Sequence, residues 1–157
     1  MPPVIAASTQ AIADALEWTP WSRDLGLPAL ATLARFLEWR EIPSGAAVFR
    51  HGDRDRFVCI LIEGAIEIVK ENRDDEERVL ARFTAGKTFG ELSLIDDEPR
   101  SATALAAERS RILVLSQERL DELAIEHPRL GMSVLRHLAR TVSGRLRLTS
   151  GRLVELI

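Results

Sequence analysis

The chain has 157 residues, 46% of them apolar and 29% charged, with a net charge of −3. That balance fits one globular domain with a modest core and excludes a disordered or fibrous chain. No apolar run approaches the roughly 18 residues that span a bilayer, and Met1 to Ala15 lacks the Lys or Arg that opens a secretory signal, so a cytoplasmic protein without membrane insertion is expected.

Residues 8–18 (STQAIADALEW) predict a helix with Ser8 as its N-cap. Residues 28–39 (PALATLARFLEW) predict a second. Pro28 suits its first position, and Leu30, Leu33, Ala34 and Leu37 recur at helical spacing. Trp18, Trp21 and Trp39 flank this start and are read as packing against the strands of the middle of the chain. From about Arg40 the pattern changes to short runs of β-formers punctuated by Gly, Asp and Pro. Ala47–Phe49, Phe57–Ile62 and Ala65–Val69 read as strands, with turns at His51-Gly52-Asp53 and Glu63-Gly64. Alternation places Ile66, Ile68 and Lys70 on one face and Ala65, Glu67 and Val69 on the other. The charged run Glu71–Arg78 reads as a hairpin tip, with Val79–Phe83 returning; Ala102–Ala107 and Arg111–Leu115 form a last pair. Many short strands at this spacing predict an antiparallel sandwich or roll. Cys59, the one cysteine, lies in an apolar run and reads as a small buried hydrophobe. It has no partner for an internal disulfide, which fits a reducing compartment.

Ser116 can cap a helix through about Glu126, and Pro128 opens a longer one. Leu130, Val134, Leu135, Leu138, Val142, Leu146 and Leu153 share one side of it. Gly131, Gly144 and Gly151 each lower helix propensity by roughly 1 kcal/mol relative to Ala, so its order is expected to depend on packing or ligand. Six arginines (Arg129, Arg136, Arg140, Arg145, Arg147, Arg152) face one acid, Glu155, over this segment. A basic end can meet nucleic acid or an anionic surface, but without interleaved aromatics the simpler reading is a solvated helix face. The chain thus divides into a helical segment at 1–39, a β-region at 40–115 and C-terminal helices at 116–157, all one domain.

The stretch richest in chemistry runs from Phe89 to Thr103. Gly90 allows close backbone approach. The next residues, Glu91-Leu92-Ser93, can start a short helix whose first N–H groups lack partners and favour an anion. Arg100, fixed by Pro99, presents a planar fork of donors that suits a phosphate. Together a carboxylate and an arginine can hold a ligand that carries both hydroxyls and an anionic group. Alone, Glu91 and Arg100 would more simply close a surface loop as an ion pair.

The order Phe89-Gly90-Glu91-Leu92-Ser93-Leu94, a variable link, then Pro99-Arg100-Ser101-Ala102-Thr103 resembles the phosphate-binding cassette of cyclic nucleotide-binding domains, the type found in the catabolite activator and in protein kinase A regulatory subunits. Gly45, Gly52, Gly64 and Gly86 fall where that family keeps its β-turns, and the resemblance runs from about Trp21 to the C-terminus. It implies a mainly β fold with flanking α: an eight-stranded jelly roll (double-stranded β-helix) with N-terminal helices and a C-terminal lid helix. It implies that Glu91 holds a ribose 2′-hydroxyl, that Arg100 pairs with a cyclic phosphate, and that N–H groups near Gly90, Leu92, Ser93, Ser101 and Ala102 complete the cradle. The ligand expected is cAMP, with cGMP open because Ser101 can meet a guanine amino group. Over the base, Thr149 and Ser150 resemble the pair that touches adenine across the activator's dimer; in a register one turn shorter Arg145 takes that place. The activator continues into a helix-turn-helix domain, and none follows before Ile157, so direct DNA binding is not expected.

His51, His127 and His137 lack ligand spacing, and no P-loop, nucleophile elbow or dinucleotide fingerprint occurs, so no cofactor, metal or catalysis is expected. Asp96, Asp97 and Glu98 read as an acidic loop tip. The resulting expectation is a sensor that signals to an effector protein, or to a second subunit through the C-terminal helix. The alternatives are a jelly-roll scaffold or dimerisation module that binds no nucleotide, and a separately made regulatory subunit of a channel or transporter.

Overall fold

In a computed structural model of the chain, described for residues 1–156, β1 (Val4–Ile5) precedes the first helix. Ser8 accepts a hydrogen bond from the Ala11 N–H at 3.1 Å and starts α1 (Thr9–Glu17). A short α2 (Trp21–Leu25), not anticipated from the sequence, leads to α3 (Leu27–Ala34). The helix expected to run to Trp39 therefore stops at Ala34. Residues Glu38–Ile42 form β2 instead, paired antiparallel with β9 (Ser110–Ser116), so that Trp39 lies opposite Leu113. Phe36 and Leu37, which continued the helical spacing, are buried in the turn between them. Strand pairing across about 70 positions outweighs a local helical pattern here.

The remaining strands are β3 (Ala47–Phe49), β4 (Phe57–Glu63), β5 (Ala65–Glu71), β6 (Glu77–Thr84), β7 (Thr88–Phe89) and β8 (Thr103–Ala106). They form two antiparallel sheets, β1-β2-β9-β4-β7 and β3-β8-β5-β6. This is the jelly roll the sequence implied, with nine strands rather than eight because the two-residue β1 joins the edge. β5 does not keep strict alternation. Its register with β6 shifts between Ile68 and Val69, and both Ile66 and Val69 are buried.

Two cores explain the unbroken apolar runs of β4 and β9. Cys59, Leu61, Ile112 and Val114 point into the roll, where Phe49, Ile66 and Phe89 meet them. Ile60, Leu113 and Leu115 point outward, onto Leu16, Trp21 and Leu33 of the N-terminal helices and Val134 and Leu138 of the last helix. Strands covered on both faces need apolar residues at every position. Burial raises the Cys59 thiol well above its ordinary pKa, which keeps it a neutral hydrophobe.

After β9, Ser116 accepts from the Arg119 N–H at 3.2 Å and caps α4 (Gln117–Glu126). Pro128 opens α5 (Pro128–Leu156), 29 residues long. At Gly131 a Cβ would lie 3.0 Å from the Cα of Ala124, so the glycine lets α5 cross close over α4. The apolar side of α5 is used unevenly. Val134 and Leu138 are fully buried, Leu130 and Val142 half-buried, and Leu135, Leu146 and Leu153 exposed. No helix among the described residues is long and apolar enough to cross a membrane.

Candidate functional site

β7 delivers the chain to Gly90, whose backbone is left-handed at φ +76°. A Cβ there would sit 3.0 Å from Nη1 of Arg100 and 3.1 Å from the Phe49 ring, so glycine serves both the turn and the close approach. Gly90 launches a single 3-10 turn, Glu91–Leu94. The Ser93 hydroxyl pins that turn, lying 3.2 Å from the Phe57 carbonyl and 3.1 Å from that of Gly90. Glu91 and Ser93 are buried while Leu92 is exposed.

Arg100 enters from the other side. Its backbone is tied to the loop before β4: its N–H donates to Asp53 O and its carbonyl accepts from Gly52, each at 2.8 Å. The guanidinium donates to Gly90 O (2.7 Å) and Phe57 O (2.8 Å) and lies 3.9 Å over the Phe49 ring and 4.6 Å over that of Phe57. It is 5% exposed, and its buried Nε has no hydrogen-bond partner. Burial lowers its pKa from the ordinary arginine value, with the charges of Asp55, Asp53 and Glu91 opposing. Arginine starts so high that the group stays a cation. Among the described residues no carboxylate pairs with it. A buried cation held only by carbonyls and ring faces is an unbalanced charge that favours an anion beside it.

Glu91 and Arg100 thus do not form the loop-closing ion pair that was the simple alternative. Glu91 pairs with Arg145 of α5, which also donates to the Thr88 carbonyl and lies 4.7 Å over the Phe83 ring. Both Glu91 and Arg100 face a cavity of about 300 Å³. Phe49, Ile68, Ala81 and Phe83 give it an apolar wall, and Arg145 closes the α5 side.

Of the residues singled out from the sequence, Gly90, Glu91, Leu92, Ser93, Arg100, Ser101, Ala102 and Arg145 line this cavity. Phe89 does not; it is buried in the roll, stacked on Phe83 at 5.8 Å. Thr149 and Ser150 are exposed and lie outside it, with Thr149 donating to its own helix at Arg145 O. Within one chain the helix register therefore brings Arg145, and not the Thr-Ser pair, to the site. Asp96 and Glu98 sit exposed at the rim, and Asp97 pairs with Arg56 at 2.8 Å. Phe49, Phe83 and Thr88 carried no signal of a site role in the sequence; each is one apolar or β-branched residue in a strand, Phe49 and Phe83 on the two edge strands of one sheet and Thr88 on an edge strand of the other, and only the packing of the two sheets brings them together.

Residues 39–127, more than half of the chain, match the family model of the cyclic nucleotide-binding domain. The chain belongs to that family. Among relatives of this domain, a CRP-like cAMP-activated global transcriptional regulator of Mycobacterium tuberculosis is 31% identical over 129 residues, 82% of this chain and 56% of that protein. The cyclic AMP receptor protein of Thermus thermophilus is 34% identical over 112 residues, 71% of this chain and 50% of that protein. The chain spans about half the length of these two relatives. In three dimensions it is similar to a cyclic nucleotide-binding domain of Methylobacillus flagellatus, with a TM-score of 0.82 at 23% identity over 95% of this chain and 84% of the other.

Proposed function

We propose that this domain is a cyclic nucleotide sensor, with cAMP as its ligand and cGMP as the competitor to test. The observation that carries the reading is Arg100: a buried, unbalanced guanidinium with an unsatisfied Nε, facing a cavity that a buried carboxylate, Glu91, also lines. A cyclic phosphate supplies the missing anion and acceptor. Glu91, with one oxygen on Arg145, has its second oxygen for a ribose hydroxyl. Phe83 and the Arg145 guanidinium flank the space left for the base. A volume near 300 Å³ falls at the small end of ligand sites. The choice of cAMP is supported by the names of the two bacterial relatives.

In this account the protein is a cytoplasmic regulator rather than an enzyme. Ligand at Glu91 and Arg145 changes how α5 is held, and α5 passes that change to an effector protein or a second subunit. A base contact from Thr149 or Ser150 would come from the second copy. Calorimetric titration with cAMP and with cGMP tests the proposal, and the absence of heat with both overturns it. Arg100→Ala should weaken binding about a hundredfold, since charge-assisted phosphate contacts are the strong ones. A variant that folds and binds as the parent does would remove Arg100 from the site.

A second reading, a scaffold that binds no nucleotide, is favoured by one observation: Glu91 is already satisfied by Arg145. It predicts the same oligomer by light scattering with and without nucleotide, and no heat.

A further inference from the structure

His137 is a buried imidazole that the nucleotide site does not use. It lies on α5 and is 6% exposed. Its Nδ1 is 2.5 Å from Oδ2 of Asp24, on α2. Its ring sits on that of Trp21, also on α2, with centroids 4.0 Å apart. Trp21 in turn donates from Nε1 to the Thr88 hydroxyl at 3.0 Å, a bond buried between α2 and β7. The Thr88 carbonyl is the one that accepts from Arg145. Two places on α5, His137 and Arg145, are thereby fastened to the same residue of β7, immediately before the cassette: one through Trp21, the other directly.

We propose that His137 is a positioning residue that seats α5 over the nucleotide cavity, and that it seats the helix more firmly when its ring is protonated. A neutral imidazole can still share one hydrogen with Asp24. An imidazolium makes that bond charge-assisted and adds attraction to the indole face it rests on. Both gains vanish together when the proton leaves. The surrounding charges set the balance. Arg140, one turn along α5, approaches Oδ1 of Asp24 at 3.5 Å, so the two cations share the carboxylate through different oxygens. From β7 the nearby group is the uncharged Thr88, and the 3-10 turn brings Glu91, already paired with Arg145. Among the described residues no ion pair joins α4 to α5.

The seat of α5 needs no ligand, but its effect on affinity rests on the function proposed above. The test therefore has two readouts. In the ligand-free protein, amide hydrogen exchange across residues 138–150, corrected for the intrinsic pH dependence, should show several-fold more protection at pH 5.5 than at pH 8. His137→Gln keeps a hydrogen-bonding group without the titration and should flatten that step. Asp24→Asn, at the more exposed end of the pair, should flatten it too and serves if the first variant folds poorly. In parallel, cAMP affinity should change several-fold between the two pH values in the parent protein and not in the variants. A pH step that survives in both variants, or no step in the parent, overturns the proposal. A step in exchange without any cAMP binding keeps the proposal and sinks the assigned ligand.

Discussion

Two carbonyls and two aromatic faces already hold Arg100, so an anion entering the cavity meets a guanidinium that needs no further ordering. Gly90, Glu91 and Arg100 were legible in the sequence because each carries its chemistry in its own type: a backbone freedom, a carboxylate, a planar donor fork. Trp21, Thr88 and His137 were not. Their contacts join positions 67 and 113 residues apart, and none has a local signature. The same cluster governs how Asp24 titrates. The hydrogen bond from His137 first, with the charges of His137 and Arg140, holds its carboxyl below the usual carboxylate range, against some opposing desolvation. A depressed carboxyl contributes stability that is present above its unfolded value near 3.9 and is lost as pH falls through the folded one. Urea melts should therefore show Asp24→Asn less stable than the parent at pH 6, with the gap narrowing as pH falls below the unfolded value.

Among the elements, α5 combines one glycine that packing requires with two that it does not. Gly131 faces Ala124, whereas nothing lies within 4 Å of a Cβ at Gly144 or Gly151. Gly144 adjoins the arginine that closes the cavity. Gly144→Ala should stabilise the second half of α5 by up to about 1 kcal/mol, read as slower amide exchange over residues 141–150. Unchanged or faster exchange there would show that the glycine has a role the single chain does not reveal. Turn glycines and caps were readable because they act locally: Ser8 and Ser116 both cap as their type predicts. The end of α3 was not. Its stripe continues through Phe36 and Leu37 with the same spacing, and the next strand is specified by β9, about seventy positions later.

For the whole molecule, the order of helices, roll and helices was legible because each segment has its own period. The division of strands between two sheets was not, since β4 and β9 are apolar on both faces and show no alternation. Among the described residues, an apolar stripe of α5 is left uncovered within the chain. Met132, Leu135, Leu146 and Leu153 are exposed on α5, spaced as a seam that a second α5 can cover. Light scattering should give a dimer, and Leu146→Glu should shift it to monomer. A parent protein that stays monomeric at high concentration removes this use of the seam.

The far end of α5 gives the anchorage at Thr88 a mechanical meaning. Beyond Arg145 every described side chain up to Glu155 is exposed, so the helix leaves the body there like a pointer. From its seat at His137 to the last helical residue, Leu156, α5 runs roughly 28 Å at 1.5 Å per residue, and a tilt of about 10° about that seat sweeps the tip by ~5 Å. Loosening one small fastening near β7 can thus be read out as a displacement larger than any side chain at the ligand would need to make.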